Sequence, residues 1–257
     1  MRYFLCLSYD GTDYCGWQIQ PSSPSVQACL EAALSRLLSR PVAVTGAGRT
    51  DTGVHAVNYV AHFDLDGILP FEASDFTYKL NAILPRSVVV HSLSPVADDL
   101  HARFSAKRRE YTYFIHRQKD PFVRGYSWLC GYPALDFDAM NEACQYLLGT
   151  HDFSCFEKTG GDNKTSICTV YDAFWKPYTP SHIQIIGEGD SSEYWYFRIA
   201  ADRFLRNMVR ATVGSLIEVG RGKHAPEWIA ELIKNGSRGD AGESVPGNAL
   251  FLNKVTY

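Results

Sequence analysis

Long hydrophobic runs are missing from this chain. Although 46% of its 257 residues are hydrophobic, no window approaches the ~18 uninterrupted apolar residues of a membrane span. Its seven cysteines (Cys6, Cys15, Cys29, Cys130, Cys144, Cys155 and Cys168) are odd in number and form neither a CxxC pair nor a Cys/His zinc spacing, so they read as reduced packing residues. Excess positive charge is lacking too: 25 Lys and Arg against 28 Asp and Glu leave a net charge of -3, which argues against a generic polyanion binder. The first eight residues, MRYFLCLS, run into Asp10-Gly11-Thr12-Asp13 instead of a long apolar stretch with a small-residue cleavage site. Neither GxxxxGK[ST] nor a complete GxGxxG occurs, and there is no low-complexity tail. The expectation is a cytoplasmic globular protein of one large domain or two ordinary ones.

What is present is a charge distribution that the mean conceals. Arg103, Lys107, Arg108, Arg109, Arg117, Lys119 and Arg124 crowd one segment, and Arg198, Arg203, Arg206, Arg210, Arg221 and Lys223 another; together they are thirteen of the 25 basic residues. Tyr111 and Tyr113 are interleaved with the first group, and Tyr194 and Tyr196 precede the second. Arginine beside aromatic rings is the composition that holds unstacked bases, although such stretches also serve as plain solvated faces.

Periodicity predicts an opening strand, "RYFLCLSYD", then a polar loop and a helix N-capped by Ser25 with apolar positions Val26, Leu30, Ala33, Leu34, Leu37 and Leu38. A short strand at 42–45, a strand alternating at Val57, Tyr59, Ala61 and Phe63, a helix over 73–83 and the strand "SVVVHSL" complete a β-α-β-β-α-β half. A comparable order follows. Strands are expected at 109–117, 168–177, 182–187, 194–200 and 249–256, and helices from Asp136, at 204–219 and at 226–234. Residues 156–166 and 235–248 read as mobile loops. The fold class expected is α+β: two similar α/β halves, 1–104 and 105–257, each with a mostly antiparallel sheet and helices on one side.

The chemistry concentrates in "GAGRTDTGVHA", residues 46–56. A phosphate cradle fits poorly, because Asp51 stands where GxGxxG needs glycine and would repel the anion. Asp51 could be a turn residue or helix cap. It could also be a nucleophile, since an adjacent Arg49 favours an ionised carboxylate and a glycine-lined pocket leaves room around it. His55, four residues on, could share a metal or an acid–base role with Asp51, or be a packed structural residue.

Six blocks bring these possibilities together. "GAGRTDTGVHAVNYVAHFD" closely resembles the catalytic motif of the TruA family of tRNA pseudouridine synthases. "YDGTDYCGWQIQP", "SVQACLEAAL", "LNAILP", "DLHARFSAKRREYTYFI", and the pair "GTHDFSCF" and "FLRNMVRATVGSLIEVGRGK" resemble its other segments in order along nearly the whole chain. The resemblance implies Asp51 as nucleophile, Arg49 as the arginine that helps evert the target nucleotide, Tyr111 as the tyrosine that packs on the base, and Arg210 as the partner of the aspartate. Tyr113, two positions on in the same strand, is the alternative to Tyr111. Lys107 and Arg108 would contact phosphates, and the active-site cleft would lie between the two halves. The chain departs from the family at Arg206-Asn207, where histidine is frequent, and at Thr52, where alanine is. Both positions flank the implied site residues.

By the same resemblance the substrate is uridine at positions 38–40 of the tRNA anticodon stem-loop, and the enzyme is a homodimer without membrane association. Isomerisation to pseudouridine changes no redox state and expels no leaving group, so neither cofactor nor metal is expected. The nucleotide must be flipped out of its stack, and the glycines of the bend would give it room. Asp51 would attack at C1′ or at C6. Two other readings stand beside this one: a non-catalytic RNA-binding or tRNA-folding protein, and a metal-dependent hydrolase using Asp51 and His55.

Overall fold

A computed structural model describes residues 1–160 and 164–257. Part of the loop expected at 156–166 therefore lies outside the described residues. The chain divides into two compact units, one formed by Met1–Arg108 with Phe251–Tyr257, the other by Arg109–Leu250.

The first unit runs β1 (Arg2–Tyr9), α1 (Val26–Leu38), β2 (Thr45–Gly46), β3 (His55–Asp64), α2 (Ala73–Ile83) and β4 (Val88–Val96), the order that periodicity predicts. Strand β1 alternates strictly, burying Tyr3, Leu5, Leu7 and Tyr9 on one face, and pairs antiparallel with both β3 and β4. Helix α1 begins where its cap predicts: Ser25 is extended, and its hydroxyl accepts the Ala28 N–H at 3.2 Å. The buried stripe of α1 is Val26, Leu30, Ala33 and Leu34.

The second unit contains β5 (Arg108–His116), β6 (Trp128–Leu129), α3 (Phe137–Gln145), β7 (Gly149–Asp152), β8 (Ile167–Pro177), α4 (Ser181–Ile186), β9 (Tyr194–Ala201), α5 (Met208–Gly220) and α6 (Trp228–Asn235). Its sheet order is β5-β9-β8-β7, all antiparallel, with the short β6 added parallel to β5. Trp175, Phe197, Phe153, Phe156 and Tyr113 are fully buried in its core. The final strand, β10 (Leu250–Thr256), pairs parallel with β3 through Phe251↔His55 and Leu252↔Ala56, so residues 251–257 belong to the first unit. Both units are thus α+β with mostly antiparallel strands.

Three expectations need correction. The strand expected at 182–187 is the helix α4. Its apolar run is too short for periodicity to separate strand from helix, and its ends decide the matter. Pro180 leads in, and Gly187, at φ 75°, closes it by donating its N–H to Ile183 O at 2.9 Å. The helix expected from 204 starts at Met208 instead, because Asn207 takes φ 64° and a right-handed helix cannot pass through it. The loop at 235–248 is tied down along its length. Asn207 Nδ2 and Arg238 Nη2 donate to Ser244 Oγ at 2.5 and 2.8 Å, Gly242 N–H donates to Ser215 Oγ at 2.9 Å, and Val245 is buried.

All seven cysteines are free, and burial pushes the Cys130 thiol up to about 11 and those of Cys155 and Cys168 to about 12. The four buried ones, Cys130, Cys144, Cys155 and Cys168, are packing residues; Cys6, Cys15 and Cys29 are half-buried.

One buried histidine ties folding to pH. In β3, His62 accepts the Ala102 N–H at Nδ1 (3.1 Å), which requires that nitrogen to be unprotonated. Burial, reinforced by Arg2, lowers its pKa from 6.5 to about 4. Between these values the unfolded chain binds the extra proton. Stability is therefore complete above about 6.5 and declines as pH falls toward about 4. Chemical denaturation across this window should show that decline, shallower in His62→Asn.

Candidate active site

The 46–54 bend is held on two sides. Below it lies a buried aromatic cluster in which Trp17 stacks obliquely on Tyr59 at 4.2 Å between centroids, with Tyr9 edge-on to Tyr59 at 5.5 Å. Fully burying rings of this size is worth about 2–3 kcal/mol each, so the cluster is a firm floor. The Tyr59 phenol donates to Gly48 O and lies 3.4 Å from the Gly48 N–H, while Ala47 N–H donates to Val60 O at 2.8 Å.

Beside the bend lies the loop that follows β1. Trp17 N–H donates to Thr50 O (3.2 Å), Gly53 N–H donates to Tyr14 O (3.3 Å), and the turn at Asp51 closes on itself through Val54 N–H to Asp51 O (3.1 Å). Thr50 is buried, its Oγ1 2.9 Å from the Tyr9 hydroxyl. Gly16 makes the close approach possible: at φ 91°, it sits so near that a Cβ there would be 2.2 Å from Thr50 O. Only glycine satisfies both conditions.

Asp51 is half-buried on this turn and Arg49 is exposed beside it. The bend's glycines divide. Gly46 is not open space, because an added Cβ would meet the Tyr59 hydroxyl at 2.1 Å and the Trp17 ring at 2.5 Å; beside Gly48 it would meet nothing within 4 Å. His55 begins β3 fully buried. Its Nδ1 lies 3.0 Å from the Gly11 N–H and 3.1 Å from Asp10 Oδ1, and its ring stacks on Phe251 at 4.6 Å. Those contacts give it the structural role. Among the described residues, no group of three or more His, Cys, Asp or Glu is placed to hold a metal ion.

In the second unit, Tyr111 and Tyr113 stand on the same face of β5 but differ in use. Tyr113 is fully buried, donates its hydroxyl to Pro246 O at 2.9 Å, and burial pushes its ionisation far above the usual range. Tyr111 retains 9% exposure and packs edge-on to Phe204 at 5.0 Å. Every residue of α5 is buried except Arg210 and Glu218, and Arg210 Nε donates to Val245 O at 2.7 Å. Lys107 is exposed, its backbone N–H on Thr256 O at 2.8 Å, and Arg108 is half-buried at the start of β5.

Some of the clustered cations are ion-paired. Arg117 faces Glu193 at 3.6 Å, Arg198 pairs with Glu110, and Arg221 and Lys223 both reach Glu218, at 2.8 and 2.6 Å. Periodicity missed the loop partners Tyr14, Gly16 and Trp17. Their signal was available: two glycines and a tryptophan in a segment otherwise read as polar loop.

Comparison with known proteins agrees along the chain. The family model described as tRNA pseudouridine synthase matches residues 5–105 and 143–257. Arg49, Asp51 and Arg210 lie inside these segments; Lys107, Arg108 and Tyr111 lie between them. The chain is 46% identical over 256 residues to tRNA pseudouridine synthase A of Porphyromonas gingivalis, covering 100% of this chain and 97% of that one. It is 48% identical to the protein of the same name in Bacteroides thetaiotaomicron (100% and 90% covered), and 40% identical to tRNA pseudouridine synthase A 2 of Clostridium perfringens (98% and 98%). An α+β chain with a carboxylate on a clamped turn thus meets a match over nearly its full length. The chain belongs to the tRNA pseudouridine synthase family.

The clamp predicts a contrast between two glycines. Gly16→Ala should cost at least about 2 kcal/mol of stability, from backbone strain and the clash with Thr50 O. Gly48→Ala should stay within about 0.5 kcal/mol. Urea denaturation of both variants checks this.

Proposed function

We propose that this chain isomerises uridine to pseudouridine in the anticodon stem-loop of tRNA, at positions 38–40, with Asp51 as the covalent catalyst. The observation that carries the reading is the full-length family match, combined with Asp51 held half-exposed on a turn fixed from both sides. A nucleophile must meet a reacting atom at about 3–3.5 Å in a defined direction, which a fixed turn supports and a mobile loop does not.

The steps follow from the chemistry. The uridine leaves its stack, at a cost of a few kcal/mol. Arg49, exposed next to Asp51, helps hold the everted nucleotide, and the space beside Gly48 receives it. Tyr111 packs on the base; Tyr113, committed to Pro246, is unavailable for that role. Asp51 attacks at C1′ or C6, the N1–C1′ bond breaks, the uracil turns, the C5–C1′ bond forms, and the bond to Asp51 breaks to return the free carboxylate. The proton leaves C5 and one is taken up at N1, so atoms balance without oxidant or cofactor. Arg210, on a helix where almost all else is buried, pairs with the ionised carboxylate. Lys107 and Arg108 bind phosphates. The working form is a cytoplasmic homodimer, its second copy helping to position the RNA; no helix of the described residues is long and apolar enough to cross a membrane.

Release of tritium from tRNA labelled at uridine C5 tests the reaction. Wild type should release label in the presence of EDTA, and Asp51→Ala should abolish release, a loss of at least about 10³-fold, with tRNA affinity within about threefold of wild type. Wild type that binds tRNA yet releases nothing would make this an RNA-binding protein, and loss of activity in EDTA would favour a metal-dependent reaction. In a salt titration of binding, Lys107→Ala and Arg108→Ala should each reduce the slope of log K against log salt by about 1. Unchanged slopes would remove them from the phosphate contacts.

A further inference from the structure

One side chain outside the assigned set is displayed as few aromatic residues are. Phe104 is 75% exposed, on a turn that has little freedom. Within the turn, Ser105 N–H donates to His101 O at 3.0 Å and His101 N–H to Ser105 Oγ at 2.9 Å. The His101 Nδ1 receives the N–H groups of both Arg103 (3.1 Å) and Phe104 (3.3 Å). The turn is anchored to its unit by Ala102 N–H on the buried His62 Nδ1 (3.1 Å), by the Tyr257 hydroxyl on Ala102 O (2.7 Å), and by Arg2 Nη1 on Leu100 O (2.8 Å). Burial holds His101 below its ordinary pKa, which keeps Nδ1 available as an acceptor.

The ring itself is oriented. The His101 imidazole lies 4.4 Å from it, centroid to centroid, and the Arg103 guanidinium carbon stands 5.5 Å from its centre. Exposing a phenylalanine forgoes the stabilisation of burying its ring, and immobilising it removes the entropy that exposure would otherwise retain. Neither serves the fold.

The surroundings say what the ring fits. Protein interfaces are depleted of lysine, and here exposed Arg103 and Lys107 stand one and three residues from the ring, with Asp98 and Asp99 exposed further back along the chain. A fixed aromatic face flanked by cations is the composition that stacks an unpaired base and steadies the adjoining phosphates.

We propose that Phe104, backed by His101 and flanked by Arg103, is a stacking platform for an unpaired base of the substrate RNA other than the uridine being isomerised. This rests on the RNA-modifying reading of the chain. Phe104 binds and positions; it does not take part in bond making. Its loss raises the KM for tRNA and leaves turnover at saturating RNA unchanged.

The test compares wild type, Phe104→Leu and Phe104→Trp, using unmodified tRNA transcript for binding and the C5-tritium assay for turnover. One base stack is worth about 1–3 kcal/mol by truncation. Phe104→Leu should therefore raise both Kd and KM about tenfold, with kcat and the salt dependence of binding as in wild type. Phe104→Trp should restore affinity and show fluorescence quenching on adding tRNA. Exposure of the side chain means that neither substitution should move the thermal midpoint. Equal affinity of Phe104→Leu and wild type would overturn the proposal, as would a fall in kcat with Kd unchanged. A shift in sedimentation without a change in RNA affinity would make the ring a protein contact and overturn it too. If wild type neither binds tRNA nor releases label, the parent reading fails; if wild type does both and Phe104→Leu is indistinguishable from it, the platform alone fails.

Discussion

The candidate site depends on the stitching of two irregular segments, the loop after β1 and the 46–54 bend, through backbone hydrogen bonds that neither could make alone. Trp17 to Thr50, and Gly53 to Tyr14, replace the ladder that a strand would have supplied. A bend outside regular structure otherwise leaves its peptide groups to water and stays mobile. Here the Tyr9, Trp17 and Tyr59 rings lie beneath, the Tyr59 hydroxyl closes on Gly48, and Gly16 allows the two backbones to touch. The result is a carboxylate at a surface position with the positional definition of a core residue.

The same economy governs the charges. Where sequence shows a crowded basic segment, the structure shows a division of labour. Arg117, Arg198, Arg221 and Lys223 neutralise carboxylates, and Arg203 donates to Thr165 O at 3.1 Å. Arg103, Lys107, Lys119, Arg124, Arg206 and the paired Lys223 are exposed. Surface ion pairs contribute little stability individually. Their effect is to lower the net charge around those cations, of which Lys223 still faces solvent.

Much of the fold was legible because its periodic signals were long and agreed with their caps. The Ser25 cap with the spacing of Leu30 and Leu34 gave α1, and alternation gave β1 and β5. Legibility failed where the deciding feature was a backbone angle. Asn207 at φ 64° displaces the start of α5, and Pro180 with Gly187 turns "HIQII" into a helix. It failed again where contacts are distant in sequence: nothing in periodicity pairs residue 251 with residue 55, or ties Ser244 to Asn207. In the site, residue types alone left Asp51 open between turn and nucleophile. For His55 the resemblance already favoured a structural residue, and the structure adds its surroundings: Gly11, Asp10 and Phe251.

The central claim is that the clamped turn delivers the Asp51 carboxylate to an everted uridine. The most direct measurement is a crystal structure of this chain with an anticodon stem-loop RNA carrying 5-fluorouridine at the target position. The account predicts the fluorinated nucleotide flipped out beside Gly48, with the Asp51 carboxylate bonded to it or within about 3–3.5 Å of C1′ or C6, and the 46–54 backbone unmoved. A target nucleotide still stacked in the RNA, or everted against a different carboxylate, would contradict it.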